Sequence, residues 1–319
     1  MKKRVKQFFE EQLQEWERAA HCYKKLESVV TKSVTLNNFN FQVQFNPGRI
    51  ISSSAVVANI PTSPQKCFLC SANRPLEQRG IAFSYNSERY QILINPFPIF
   101  QYHLTIALEE HSPQTIRGRV GAMLSLSNEL EDFALFFNGA KGGASAPGHF
   151  HFQAVPYREL PLIGQLPNLE RKTLFGTDKS RVVEVESYFK GLYTIATSSK
   201  NEGERLINQL LEAISATAPL GEEGVNILAW YQEGEYNITL FVRGAHRSSH
   251  FFREAQERVL ISMGSIDLAG VVITPLEIDF NRAGSALIGE IVSEIELGEE
   301  LSSQLTKEII EKLNGRAKD

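Results

Sequence analysis

The stretch Gly148-His149-Phe150-His151-Phe152-Gln153 concentrates more chemistry in fewer positions than any other part of this 319-residue chain. Read as a strand, it sets His149, His151 and Gln153 on one face and Phe150, Phe152 and Ala154 on the other. A face of imidazoles and an amide fills a core poorly and lines a reaction cleft well. A histidine near neutral pH can serve as nucleophile, general base or metal ligand. An H-x-H pair alone is weakly specific, so its meaning depends on the residues that reach it.

Cys67-Phe68-Leu69-Cys70 is the second such group. The spacing suits a redox pair or half of a tetrahedral zinc site. A redox pair of the thioredoxin kind should open a helix behind a buried strand, and Arg74-Pro75 opposes a long helix here. Zinc is the better reading, and it needs two more ligands from His103, His111, His149 and His151. Side chains two apart on a strand sit roughly 7 Å from one another, whereas zinc donors must come within roughly 2.1 Å of the ion. One of His149 and His151 therefore binds metal while the other stays free for chemistry.

Two further groups could hold anions. Arg49 follows the turn Asn46-Pro47-Gly48, and Lys141 lies in Gly139-Ala140-Lys141-Gly142-Gly143-Ala144-Ser145-Ala146-Pro147, a loop whose small residues let backbone amides approach a ligand. Arg243, His246 and Arg247 form a second cationic cluster, which reads equally as an anion site or as a solvated turn.

These groups need a scaffold, and hydrophobic periodicity outlines it. Apolar residues at helical spacing over 5 to 30 predict an N-terminal amphipathic helix, and Phe39 to Phe45 alternates as a strand. Strands are expected at Tyr90 to Asn95, Tyr102 to Leu108 and Phe133 to Asn138, with a helix from about Gln114 to Glu131. The second half repeats the order: strands at Arg181 to Phe189 and Leu192 to Thr197, a helix at Glu204 to Ile214, then strands at Val225 to Tyr231 and Tyr236 to Arg243. In that copy the histidine strand is replaced by Asn237-Ile238-Thr239-Leu240-Phe241-Val242-Arg243, which has no histidine. A strand near Val271-Val272-Ile273 and helices at roughly Leu276 to Leu297 and Gln304 to Leu313 complete the chain. The expectation is an α+β protein of antiparallel sheets with helices, in two related halves, residues 1–165 catalytic and 166–319 degenerate.

Composition narrows the function classes. With 42% hydrophobic and 22% charged residues the chain is globular, and a net charge of -4 gives no general attraction to nucleic acid. Lys2, Lys3 and Arg4 precede Phe8-Phe9, but Glu10 and Glu11 follow at once, so no signal-peptide core forms. No run approaches membrane-spanning length. Three cysteines, one of them distant at Cys22, argue against a disulfide framework and for a reducing, cytoplasmic setting.

The run His103-Leu104-Thr105-Ile106-Ala107-Leu108-Glu109-Glu110-His111, then Asn138-Gly139 with the small-residue loop, then His149-Phe150-His151-Phe152-Gln153, resembles the histidine-triad superfamily. Glutamine in place of the third histidine is similar to its transferase branch: galactose-1-phosphate uridylyltransferase, dinucleoside tetraphosphate phosphorylase and the GDP-hexose phosphorylases. Gln42-Val43-Gln44-Phe45-Asn46-Pro47-Gly48-Arg49 also resembles the Gln-x-Asn-x-x-Arg segment of the last group. Phe150 and Phe152 depart from the His-Pro-His-Gly-Gln form of the uridylyltransferases. The resemblance implies a structural zinc held by Cys67, Cys70, His111 and His149. It implies that His151 attacks an α-phosphorus, with the His149 carbonyl holding its far nitrogen and Gln153 bonding a phosphate oxygen. Asn138 and Ser145 would contact phosphate, and Arg49 and Lys141 would offset its charge, which places Arg49 within reach of the His151 cleft. The substrate would be a nucleoside diphosphate sugar or dinucleoside polyphosphate, and the acceptor phosphate or a sugar phosphate. No nucleic acid or membrane partner is expected, and a homodimer is compatible with the resemblance. A nucleotide hydrolase of the same superfamily is disfavoured because Gln153 cannot shuttle a proton. A zinc-stabilised nucleotide-binding module without turnover is the alternative from another class, and a zinc deaminase would need H-x-E with P-C-x-x-C, neither of which is present.

Overall fold

The computed structural model describes residues 1–50, 64 and 67–315. Its centre is a ten-stranded sheet in the order β3-β4-β5-β7-β6-β11-β12-β10-β9-β8. The first five strands are β3 (Ile81–Tyr85), β4 (Glu88–Ile94), β5 (Leu104–Leu108), β6 (Phe133–Asn138) and β7 (His151–Pro156). The second five are β8 (Arg171–Gly176), β9 (Ser180–Val185), β10 (Leu192–Thr197), β11 (Val225–Gln232) and β12 (Glu235–Val242). Each half runs three strands, a helix and two strands, and within each the fifth strand lies between the third and fourth. The halves join where β6 pairs antiparallel with β11, from Asn138↔Asn226 to Leu135↔Ala229. The fold is thus α+β, built from antiparallel halves of which only the first carries a strand histidine, His151.

Alternation along the strands decides what covers each face. Phe150, Phe152, Leu135, Phe137, Ile227, Ile238 and Leu240 point into a core shared with the helices Val120–Leu130, Lys200–Thr217 and Glu299–Gly315 and with the N-terminal helices. Phe136, Val155, Leu228, Trp230 and Phe241 point the other way, into a second core beneath a small sheet of β1 (Val30–Leu36), β2 (Phe39–Phe45) and β13 (Val271–Thr274). Phe39, Phe41 and Val43 are the buried, alternate positions of β2, and Phe39 stacks on Tyr188 with ring centroids 3.9 Å apart. β13 runs parallel to β2, and more than two hundred residues separate the paired strands. Because Phe150 and Phe152 take the helix side, His151 and Gln153 must face the small sheet.

Several expectations need correction. The N-terminal helix ends early: helices Lys2–Glu15 and Glu17–Lys24 meet at Trp16, a turn follows, and Val30 already begins β1. The β-branched Val29-Val30 pair fits helical spacing but prefers the pleat. β3 and β8 add an unforeseen strand at the head of each half, both at sheet edges, and β8 is largely exposed behind Arg171 and Lys172. The helix expected from Gln114 starts only at Val120, since Gly118 takes a left-handed φ of 81° that interrupts the turn before it. The helix expected over Leu276 to Leu297 breaks at Ala283-Gly284 into Glu277–Arg282 and Ser285–Ile295. Among the described residues no helix is long and apolar enough to cross a membrane.

Candidate active site

The histidine strand is shorter than its alternation suggests, since β7 begins at His151 and Gly148-His149-Phe150 lead into it. That lead-in is still held by the sheet: Leu108 N–H donates to the Phe150 carbonyl at 3.0 Å, and Phe150 N–H donates to Ser112 O at 2.6 Å. His149 is fully buried and turns its Nδ1 toward Cys67 Sγ at 3.2 Å, Cys70 Sγ at 3.5 Å and His111 Nδ1 at 3.3 Å. Cys70 Sγ lies 3.2 Å from His111 Nδ1, and all four donor atoms fall within 4.8 Å of one another. A tetrahedral zinc with bonds of roughly 2.0–2.3 Å keeps its donors roughly 3.3–3.8 Å apart, so these residues fit such an ion. His149 Nε2 is 2.7 Å from the Leu108 carbonyl, which only a ring N–H can satisfy. Nδ1 is then the unprotonated nitrogen, as a metal ligand must be. The four residues lie close enough to hold one metal ion.

His151 uses its own ring differently. Its Nδ1 is 2.9 Å from the His149 carbonyl, so Nδ1–H donates there and the lone pair sits on Nε2. Burial, with the neighbouring His149 adding to it, pushes its pKa down to about 4, which keeps the imidazole neutral. The backbone around it is clamped by a residue that spacing gave no reason to notice. Buried Gln114 accepts from His151 N–H at 2.9 Å and donates to His151 O at 2.9 Å and to Asn138 O at 3.1 Å. One amide thus ties the first residue of β7 to the last of β6, beyond the point where their own pairing stops.

Gln153, on the same strand face, is oriented by the first half alone. Its Oε1 accepts from Asn95 Nδ2 at 3.2 Å and from His103 Nε2 at 2.9 Å. His103 is fully buried, and burial together with the charge of Arg49 pushes it down to about 3, so it is a neutral donor at Nε2. With its oxygen taken, Gln153 presents its NH₂ to a cavity that Arg49, Asn138 and Ser145 also line. Arg49 arrives from the end of β2, where Gln44 donates to Ile99 O at 3.2 Å and Asn46 to Pro98 O at 3.2 Å. Its Nη1 donates to Phe97 O at 2.6 Å, while its buried Nε has no partner among the described residues. Burial pushes the Arg49 pKa down to about 10, still far above neutrality. The opposite wall carries Asp267, whose carboxylate accepts from Gly264 N–H at 2.8 Å and Ile273 N–H at 2.9 Å. The arrangement offers amide and guanidinium donors to an anion beside a neutral imidazole.

Of the residues singled out from the sequence, Arg49, Asn138, Ser145 and Gln153 meet at this cavity, two residues along β7 from His151, and Cys67, Cys70, His111 and His149 meet in the thiol–imidazole cluster. Lys141 does neither: its ammonium is half-exposed and pairs with Glu223 at 2.7 Å. Its loop is nonetheless tightly seated, since a Cβ on Gly142 would lie 2.7 Å from the Val225 carbonyl. The cationic cluster stays together, but each member is already engaged within the protein. Arg243 is completely buried, Arg247 stacks 3.9 Å over Phe251, and His246 Nδ1 lies 2.7 Å from Lys141 O. Sequence reasoning missed Gln114, Asn95, Asn226 and Ser265. Asn95 and Gln114 fall at the margins of the elements that periodicity outlined, past the end of β4 and ahead of the helix at Val120, and the other two come from the half without strand histidines.

Residues 8–156 match a family described as a domain of unknown function, DUF4922. Among solved structures the chain is similar to the yeast Ap4A phosphorylase Apa2 in complex with AMP, with 13% identity, a TM-score of 0.58, and coverage of 88% of this chain and 96% of that one. The complex of the same enzyme with Ap4A gives 13% identity, a TM-score of 0.55 and the same coverage, 88% and 96%. An ADP-glucose phosphorylase from Arabidopsis thaliana with bound ADP-glucose is more distant, at 11% identity and a TM-score of 0.41 over 88% of this chain and 98% of that one. No curated protein matches the sequence. At this identity the likeness to Apa2 is one of fold.

Proposed function

We propose that this chain is a nucleotidyl-transferring phosphorylase, acting on a dinucleoside polyphosphate or a nucleoside diphosphate sugar through a nucleotidyl intermediate on His151. The observation that carries this reading is the His151 ring itself: neutral, with Nδ1–H held by the His149 carbonyl and Nε2 carrying the lone pair. In the first displacement Nε2 forms a bond to the α-phosphorus as the bond to the leaving oxygen breaks. The leaving group departs as a phosphate anion, so no general acid is required. In the second, an oxygen of inorganic phosphate attacks the same phosphorus and His151 leaves. Phosphate is already ionised near pH 7, so no general base is required either. Gln153, which cannot exchange protons, suits that chemistry better than it suits activation of water.

The other residues stabilise charge. Gln153 and Asn138 donate from their amide nitrogens, Ser145 from its hydroxyl, and Arg49 balances the phosphate charge. Gln114 holds the His151 backbone while the ring changes its bonding. We assign a structural zinc to Cys67, Cys70, His111 and His149. Four protein donors leave no open position on it, so its contribution is to fix the segment that leads into β7. Phosphate or a sugar phosphate would serve as acceptor, and Lys141 would act at most at the rim.

The test is a panel of Ap4A, ADP-glucose, GDP-glucose and UDP-glucose, each with and without inorganic phosphate, scored for released nucleotide. Phosphate-dependent release, and an acid-labile nucleotidyl adduct on His151 when acceptor is omitted, are the expected results. Release that is independent of phosphate would replace the phosphorylase with a hydrolase. Binding without turnover of any donor would replace the enzyme with a binding module.

A further inference from the structure

Arg243 lies at the end of β12, in the half without strand histidines, and is completely buried. Among the described residues no carboxylate hydrogen-bonds or pairs with its guanidinium. It donates instead to the carbonyls of Ala245, Met263 and His246, and its Nη1 lies 3.5 Å from Asn226 Oδ1. Burying a cation without a paired carboxylate is costly, so stability alone does not account for Arg243 at this position.

The neighbouring amides show where the charge is directed. Guanidinium has no acceptor, so whatever faces it must be oxygen, and Asn226 is turned with Oδ1 toward Arg243. Its Nδ2 then points away, donating to Asn138 Oδ1 at 2.7 Å and to Gly142 O at 2.6 Å. Asn138 Oδ1 also accepts from Ser265 N–H at 2.8 Å and Ser265 Oγ at 2.7 Å. Three donors on one oxygen leave the Asn138 NH₂ directed into the cavity that Arg49 and Gln153 line. We infer that Arg243 is a positioning residue which, through Asn226, fixes the Asn138 amide as a phosphate donor and polarises it. This rests on the phosphorylase reading and extends it across the seam between the halves. The long Arg243–Asn226 contact carries orientation by charge, and the short Asn226–Asn138 bond passes it on.

The experiment is a double-mutant cycle on the wild type's preferred donor from the panel above, with inorganic phosphate as acceptor. Asn226→Asp keeps size and the oxygen facing Arg243 but removes the donor to Asn138, and Arg243→Lys keeps charge but loses the fork. For Asn226→Asp we expect kcat to fall about 100-fold with KM changed less than about threefold, as for loss of a preorganised donor. For Arg243→Lys the expected fall is about 10-fold. In an Asn138→Ala background, itself slow but measurable, Asn226→Asp should lower kcat by no more than about twofold, because its effect passes through Asn138. Full additivity in that background, or losses that merely track the folded fraction seen in thermal unfolding, would overturn the inference. Should Arg243→Lys fail to fold, Asn226→Asp with Asn138→Ala decides the matter alone. Failure of the phosphorylase reading is separately visible, as absence of phosphate-dependent release by the wild type before any variant is made, and it removes this inference with it.

Discussion

β7 and β12 occupy equivalent places in their halves, each between the third and fourth strands of its own five. The side of β7 that faces the small sheet carries His151 and Gln153. On the corresponding side β12 carries Asn237, Thr239 and Phe241, and the buried Thr239 hydroxyl has no partner among the described residues. The contrast extends to what surrounds them. β7 has an amide clamp from Gln114, a carbonyl for the His151 ring and a thiol–imidazole cluster behind His149, whereas among the described residues β12 has no such clamp or cluster. A strand in this position is therefore not inherently reactive. On the phosphorylase reading, what sets β7 apart comes from the loops that lead into it, while the second half supplies buried polar support at the seam, through Asn226, Arg243 and Ser265.

Four substitutions test that contrast, in descending order of expected effect. His151→Ala removes the proposed nucleophile and should reduce phosphate-dependent release by at least about 10³-fold, with metal content and thermal unfolding unchanged. Residual turnover near the wild-type rate would move the chemistry off β7. Cys70→Ser, which opens the cluster, should lower metal content and cost several kcal/mol of unfolding free energy, on the order of 3 or more, as structural sites contribute folding energy. Equal metal content by elemental analysis and an unchanged denaturation midpoint would separate the cluster from the strand's stability. Gln114→Ala leaves the His151 N–H and carbonyl without their side-chain partner and should lower kcat about 10- to 100-fold while costing about 1–3 kcal/mol. Steady-state kinetics beside urea unfolding distinguishes the two contributions. Thr239→Val, the smallest change, replaces an unsatisfied hydroxyl on the β12 side and should leave kcat within about twofold and stability equal or higher by up to about 1 kcal/mol. A substantial loss of activity there would mean that β12 takes part in the site after all.

How much of this could be read from residue order depends on the range of the interaction. β2, β4, β5, β6 and β10 to β12 follow from local apolar patterning, and ligand chemistry marked Cys67 and Cys70 as half of a metal site, whereas His111 and His149 were singled out as its other half only by the family resemblance. Arg49 at the cavity was legible because it closes a recognisable motif after a turn. β1 was hidden because Val29 and Val30 fit the preceding helical spacing, and β3 and β8 because edge strands need only one apolar face or almost none. Gln114 could not be found this way, since an amide that serves the backbone of a distant strand has no periodic signature. Arg243 was visible as a charge but not as a buried one, because burial at the end of β12 is decided by the loop over 244–263 folding across it.

The small sheet imposes an order on synthesis. Thr274 Oγ1 donates to Gln44 O across 230 residues of sequence, and Ser265 reaches Asn138 across 127. A chain emerging from the ribosome can pair β3 to β7 and gather the two cysteines with His111 and His149 long before β13 exists. Until residues 265–274 arrive, Asn138 lacks two of the three donors to its oxygen, and the strand carrying Arg49 lacks one neighbour. The nascent polypeptide thus passes through a stage with a formed thiol–imidazole knuckle but an unfinished anion pocket, and gains competence only when nearly all of it has been made.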